Sequence, residues 1–251
     1  MKKVSLILTT YNSKDNLGKT LNSIEKQDYP NIEVVIKDGG STDGTLDVIR
    51  EYQEKSKLAI ISVSKSDKGI YDAMNQGYEL SSGDVIVFFN DVFSTSDVVS
   101  KMIKKMESIN PDTGEEYVGV HADLVYVEGD KVIRKWHMGE GNIYQGWMPG
   151  HPTLFLKREI YEKYGLYRTD FKIAADYEFM VRFLKDKENK LIYLPETIIE
   201  MFYGGTSTVG LKSYIESFKE GYRALKINGI GFAFGITGFR TLRVLRQFVI
   251  K

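Results

Sequence analysis

An α/β protein built on a mostly parallel sheet, with helices on both faces, is what the first hundred residues predict. Three observations carry that expectation. Residues 4–9, 32–36, 58–63 and 84–89 read as strands, and the first is a continuous apolar run bounded by polar residues, the pattern of a strand buried on both faces. Each is followed by a stretch whose apolar residues recur at helical spacing, such as Leu17, Leu21 and Ile24. The polar clusters fall at the carboxyl ends of the strands, where open α/β sheets bind their ligands.

In order, the helices are expected over residues 16–27, 45–54, 70–80 and 97–108. After Pro111 the pattern changes. Residues 118–127 and 131–136 read as a small β-hairpin closed by residues 128–130, which include Gly129. A glycine-rich stretch, residues 139–150, leads to an extended segment at 153–156 and a short helix from Arg158. Residues 174–185 form an amphipathic helix with Phe179, Phe183 and Leu184 inward, and residues 190–194 a strand. From Lys212 the chain is expected to be helical with a break over residues 228–235. The organisation is therefore residues 1–110 as a first half, 111–210 as a second and 211–251 as helical C-terminal segments.

The chain has 251 residues, enough for a sizeable core, and 34 basic residues balance 34 acidic ones. A net charge of zero argues against a general binder of polyanions such as nucleic acid. The balance hides an asymmetry: from Leu211 onward eight basic residues face two acidic ones, so the tail carries +6 and residues 1–210 carry −6. Without cysteine there is no disulfide, thiolate metal site or cysteine nucleophile. The opening MKKVSLILTTYN has too short an apolar run for a secretory signal, and no run reaches membrane-spanning length. A cytoplasmic chain is expected. In the tail, Phe232, Phe234, Phe239, Leu242 and Phe248 alternate with Arg240, Arg243 and Arg246. This reads either as packing against the rest of the chain or a second subunit, or as a peripheral helix on the inner leaflet of a membrane.

Four stretches offer chemistry. In IKDGGSTDGT (36–45), Gly39, Gly40 and Gly44 permit a tight turn, and Asp38 can accept from a base N–H or a ribose hydroxyl. The bland alternative is a turn whose Ser41 or Asp43 caps the next helix. In SDKGIYDAMNQG (66–77), Lys68 precedes a helix N-terminus, so its charge and the helix amides can face a diphosphate. In KIAADYEFMVRFL (172–184), Asp176 is a candidate general base and equally an ordinary first-turn acid, with Glu178 beside it. In QGWMPGHPT (145–153), Trp147 either stacks on a sugar or pins the loop, and His151 has no core to fill.

Together TTYN (9–12), DGGSTDGT (38–45), DKGIYDAMNQG (67–77), GDVIVFFND (83–91), GHPTLF (150–155) and AADYEF (174–179) resemble, in order and spacing, the family 2 glycosyltransferases of bacterial polysaccharide assembly. The resemblance covers about residues 1–205. It implies the GT-A fold, a nucleotide-sugar donor, most readily a UDP-sugar, and inversion at the anomeric carbon. Carried over, it gives Thr9, Tyr11 and Asp38 to the base and ribose, with Gly39 at the turn. Asp67, Lys68, Gly69 and Asp72 line the nucleotide and donor sugar. Asp176 matches the base, and Trp147, His151 and Glu178 fall on the acceptor side. The acceptor is expected to be a saccharide or a lipid-linked saccharide. A catalytically silent or metal-independent relative that binds sugar nucleotides or glycans is the alternative reading.

One departure stands out. The family commonly continues the fourth strand as Asn, a small residue and two acidic residues, whereas here Asn90–Asp91 runs straight into Val92 and Phe93. A Mn²⁺ or Mg²⁺ ion held by Asp91 alone, with water and phosphate oxygens completing its shell, is still expected. Asn90 and His151 are the candidate extra ligands.

Overall fold

The computed structural model describes residues 1–129, 131–202 and 211–246. Its strands are β1 (Val4–Thr10), β2 (Ile32–Asp38), β3 (Ala59–Ser64), β4 (Val85–Phe88), β5 (Val92–Phe93), β6 (Gly119–Glu128), β7 (Lys131–Trp136), β8 (Phe155–Lys157) and β9 (Leu191–Phe202). The helices are α1 (Lys14–Glu25), α2 (Thr45–Lys55), α3 (Ile70–Leu80), α4 (Val98–Met106), α5 (Arg158–Tyr164), α6 (Ala175–Leu184), α7 (Leu211–Ile227) and α8 (Ala233–Arg246).

Alternation along the strands sorts the core onto two faces of one sheet. Leu6, Leu8, Val34, Ile36, Val85 and Val87 point to the face covered by α1, α2 and α4. Ile7, Val35, Ile86 and Phe88 point to the other, covered by α3, α5, α6 and the C-terminal helices. Both faces are covered, so β1, β2 and β4 are buried apart from half-buried Thr9, as a parallel sheet sandwiched by helices requires.

Among the described residues the strand order is β3-β2-β1-β4-β8-β6-β9-β5, with β7 paired to β6. The β3-β2-β1-β4 half is parallel, β8 runs antiparallel to β4 and β6, and β6 and β9 are parallel. The expected hairpin is there, but β6 is also an inner strand of the main sheet; the turn residue Asp130 lies outside the described residues. The strand expected over residues 190–194 continues to Phe202. Its pairing with β6 jumps from Ala122↔Leu194 to Asp123↔Thr197, so Pro195 and Glu196 form a bulge. A proline that ends an apolar run is accommodated there without ending the strand. The two-residue β5 carries no pattern that a sequence reading detects.

The tail packs on the domain. Helix α7 lies against α6, and α8 crosses the loop at residues 143–146. Gly146 has φ +67°, and a Cβ there would lie 2.4 Å from the Arg240 backbone nitrogen, so the crossing needs a glycine.

Candidate active site

The ends of β1 and β4 open into a cavity of about 1400 Å³, walled on the far side by α6, α8 and β7. At its floor the Asn90 side chain ties the two strands together. Its Oδ1 accepts from the Thr9 N–H at 3.0 Å and its Nδ2 donates to Thr9 Oγ1 at 3.1 Å. Next to it Asp91 lines the cavity at 7 % exposure. Burial pushes its carboxyl up to about 7, and the Phe202 backbone N–H opposes this only in part.

Beside the cavity lies a second polar cluster. The Asp38 carboxylate is buried and accepts from the Gly40 and Ser41 amides, both at 2.9 Å, and from the Ser41 and Ser64 hydroxyls. Burial alone would raise its pKa, but these hydroxyls and amides hold it below the usual carboxylate range. Asp38 thus shapes the turn from beneath. The exposed Tyr11 ring and Gly39 form the surface above it: a Cβ on Gly39 would lie 3.0 Å from Asp67 Oδ2 and 3.3 Å from the Tyr11 ring.

Asp67 accepts from the Gly69 N–H at 3.0 Å, and Asp72 accepts from the Lys68 N–H at 2.8 Å, so both carboxylates fold the loop onto the start of α3. The Lys68 side chain is exposed. None of Tyr11, Asp38, Gly39, Asp67, Lys68, Gly69 and Asp72 lines the cavity itself; the shelf adjoins it through Thr10 and Ile70. Sequence reasoning missed Lys37, fully buried, whose ammonium donates to the Asp38 and Lys65 carbonyls and pairs with Asp67 at 3.2 Å. The available signal was a lone lysine ending an apolar strand beside Asp38.

Across the cavity, Asp176 stands half-buried in the first turn of α6, accepting from the Tyr71 hydroxyl at 3.2 Å. Burial and the neighbouring Asp176 charge raise the Tyr71 pKa, so the phenol stays a donor. The loop that delivers Asp176 is fixed from α7. Buried Glu220 accepts from the backbone N–H groups of Lys172, Ile173 and Ala174 at 2.7, 3.0 and 2.9 Å. Ala174 is the N-cap of α6, so one of the helix's orphan donors and the two amides before it are satisfied here by a carboxylate far away in sequence.

His151 and Trp147 also reach the cavity wall. The His151 ring stacks on Phe88 with centroids 5.7 Å apart, its Nε2 sits 2.8 Å from the Tyr167 hydroxyl, and burial lowers its pKa. Trp147 is 5 % exposed and donates its indole N–H to the Met138 carbonyl, which is the loop-pinning role. Glu178 stands outside the cavity lining; its carboxylate pairs with Arg182 at 2.6 Å and accepts from Asn228. Sequence reasoning also missed Asp123 on β6, which stands outside the cavity lining, accepts from the Met138 N–H at 2.7 Å and holds His137 Nδ1 at 2.8 Å.

No group of three or more His, Asp or Glu side chains converges among the described residues. Asn90 and His151 already have protein partners for the atoms named above. Asp91 differs: a buried carboxyl pushed toward neutrality, facing the cavity, is what a cation would ionise and stabilise. The donor set fits a weakly held hard cation with one protein carboxylate.

The family model for glycosyl transferase family 2 matches residues 5–165. A glycosyltransferase of Mycobacterium tuberculosis (strain CDC 1551 / Oshkosh) is 33 % identical over 189 residues, covering 71 % of this chain and 68 % of its own. Among solved structures, S. aureus TarS 1-349 in complex with UDP-GlcNAc superimposes with a TM-score of 0.70 at 18 % identity, over 99 % of this chain and 73 % of that one. The longer TarS chain is matched over 44 % of its length. The mannosyltransferase PcManGT from Pyrobaculum calidifontis, in complex with GDP-Man and Mn²⁺, gives 0.67 at 20 % identity, over 98 % and 71 %. These likenesses show the GT-A fold, and with the family match over more than half its length the chain belongs to the family 2 glycosyltransferases.

Proposed function

We propose that this glycosyltransferase moves a sugar from a UDP-sugar to a saccharide or lipid-linked saccharide, with inversion and with Asp176 as general base. The observation that carries the proposal is that Asp176 and the Thr9–Asn90–Asp91 floor line one cavity. In this reading residues 1–110 carry the donor, 111–210 the acceptor, and 211–251 brace them. The uracil and ribose lie on the shelf of Tyr11, Gly39 and Asp67, with Asp38 holding the turn beneath. Lys68 and the α3 amides face the diphosphate. The UDP-GlcNAc complex of TarS and the GDP-Man complex of PcManGT support a nucleotide-sugar donor on this fold.

The acceptor hydroxyl attacks the anomeric carbon from the side opposite the diphosphate. The new C–O bond forms as the bond to the phosphate oxygen breaks, and its electron pair leaves with UDP. The hydroxyl proton passes to Asp176, late, because the hydroxyl acidifies only as its bond to carbon forms. Tyr71 keeps the second lone-pair direction of Asp176 occupied and so fixes the carboxylate. A divalent cation, when bound, neutralises charge on the leaving diphosphate, and Asp91 is the residue that would hold it. The Mn²⁺ in PcManGT supports this.

Two measurements test the reading. Asp176→Asn is expected to lower turnover by about 10²–10⁴-fold while leaving UDP affinity unchanged; turnover near wild type removes the base assignment. Calorimetric titration of UDP, GDP and CDP, with Mn²⁺ and then EDTA, is expected to show UDP binding that weakens in EDTA. If none of the three binds, the donor assignment fails.

A further inference from the structure

His151 lines the cavity, yet the transfer steps above give it no task. Its ring is held firmly. It stacks on Phe88 at 5.7 Å, meets the Tyr167 ring edge-on at 5.7 Å, and places Nε2 2.8 Å from the Tyr167 hydroxyl. Tyr167 is itself clamped from α3: the Asn75 amide donates to its carbonyl at 2.8 Å and accepts from its N–H at 3.0 Å. Behind it the Tyr161 hydroxyl lies 3.4 Å from the Tyr167 hydroxyl and has no other partner among the described residues.

This chain of groups has one direction. Both phenols are buried, and burial raises their pKa, so both keep their protons. A buried hydroxyl hydrogen without an acceptor is costly. Tyr161 has only the Tyr167 oxygen to donate to, so Tyr167 in turn donates to His151 Nε2. Burial keeps the imidazole neutral, and a neutral ring that accepts at Nε2 carries its proton on Nδ1. That N–H has no partner among the described residues, and unlike His121 Nδ1 it is not closed off from solvent. A fixed neutral donor thus stands in the cavity lining.

His151 touches β4 at Phe88, two residues before Asn90, and lies close enough to Asp176 for that charge to act on its ring. A sugar attacked from the Asp176 side, with its diphosphate leaving toward Asp91, fills this stretch. We infer that His151 is a specificity-determining residue for the donor: its Nδ1–H donates to a hydroxyl oxygen of the sugar being transferred. The inference rests on the glycosyl-transfer reading above. With Nδ1 protonated and Nε2 occupied, the ring has no lone pair left for a metal ion.

Titration of the full chain with UDP, UDP-glucose, UDP-galactose and UDP-GlcNAc tests the contact. His151→Phe keeps a flat ring against Phe88 and removes the donor. It is expected to weaken the tightest-binding UDP-sugar about 3–10-fold, with UDP affinity unchanged. Unchanged UDP-sugar affinity overturns the inference. So does an equal loss for UDP, which would give His151 to the nucleotide or to the fold. Long-range proton–nitrogen correlation NMR, on the chain labelled at its histidine nitrogens, tests the tautomer at neutral pH. The His151 signals are identified by their absence in His151→Phe. Wild type is expected in the Nδ1–H form, and Tyr167→Phe is expected to move the proton to Nε2. An Nε2–H form in wild type, or an unchanged tautomer in Tyr167→Phe, also overturns the inference. Failure of UDP and of every UDP-sugar to bind wild type removes the donor reading and this inference with it, whereas binding that His151→Phe leaves intact removes this inference alone.

Discussion

Asp91 is the residue at which the shortened acidic motif meets physics. Its carboxyl is raised from 3.8 to about 7 in the folded chain, so the native state holds a proton that the unfolded state releases. Stability contributed by that proton is fully present below pH 4 and is lost as pH rises through 7. The amount is on the order of 4 kcal/mol at most. Asp91→Asn is therefore expected to raise the melting temperature at pH 8 while changing it little at pH 4. Mn²⁺ should stabilise wild type more at pH 8 than at pH 5, because the cation binds the ionised carboxylate. Thermal unfolding of both proteins at these pH values, with and without Mn²⁺, checks it; equal melting temperatures at pH 8 would show that Asp91 ionises freely.

At the scale of elements, the proposed base is only as well placed as the helix that carries it. Helix α6 has no side-chain cap of its own, and three amides ahead of it end on Glu220 of α7. Removing a carboxylate from several buried donors costs about 1–3 kcal/mol for each group left unsatisfied. Glu220→Gln keeps the shape but offers one acceptor oxygen instead of two. Its expected effect is a lower melting temperature and a turnover reduced about tenfold, with UDP affinity retained, since the nucleotide shelf lies on β1, β2 and α3. Turnover at the wild-type level in a destabilised variant would show that α7 braces the fold without positioning Asp176.

For the whole molecule, no described helix is long and apolar enough to cross a membrane. The C-terminal helices instead pack on residues 170–177 through Glu220, Arg223 and Arg240, and still leave Phe239 and Leu242 at 50 % and 59 % exposure. Phe248 and Arg246, part of the same basic and apolar pattern, lie beyond the residues whose side chains are described. A row of this kind suits attachment to an anionic leaflet. Co-sedimentation with phosphatidylglycerol vesicles is expected, falling at least tenfold in Phe239→Ser/Leu242→Ser, since each buried side chain contributes about 1.5–3 kcal/mol. Wild type that stays in the supernatant would leave these side chains as a plain surface.

By itself the sequence determined the βα succession, the buried faces of β1, β2 and β4, and the loops in which polar chemistry gathers. Those are local properties: a run of apolar residues, a glycine beside an aspartate and a helical repeat act over a few residues of chain. It also showed Asp176 in its first turn and the missing second carboxylate after Asp91. Only the tertiary structure decided that Asp38 is spent on its own turn while Tyr11 and Gly39 face outward, because hydrogen bonds from Ser64 come from another strand. Only the fold could bring Glu220 onto the loop before α6, or carry β9 past Pro195 by a bulge against β6. Lys135, Lys172, Arg240 and Arg243 likewise come together only in the lining of the cavity, because they lie far apart in sequence.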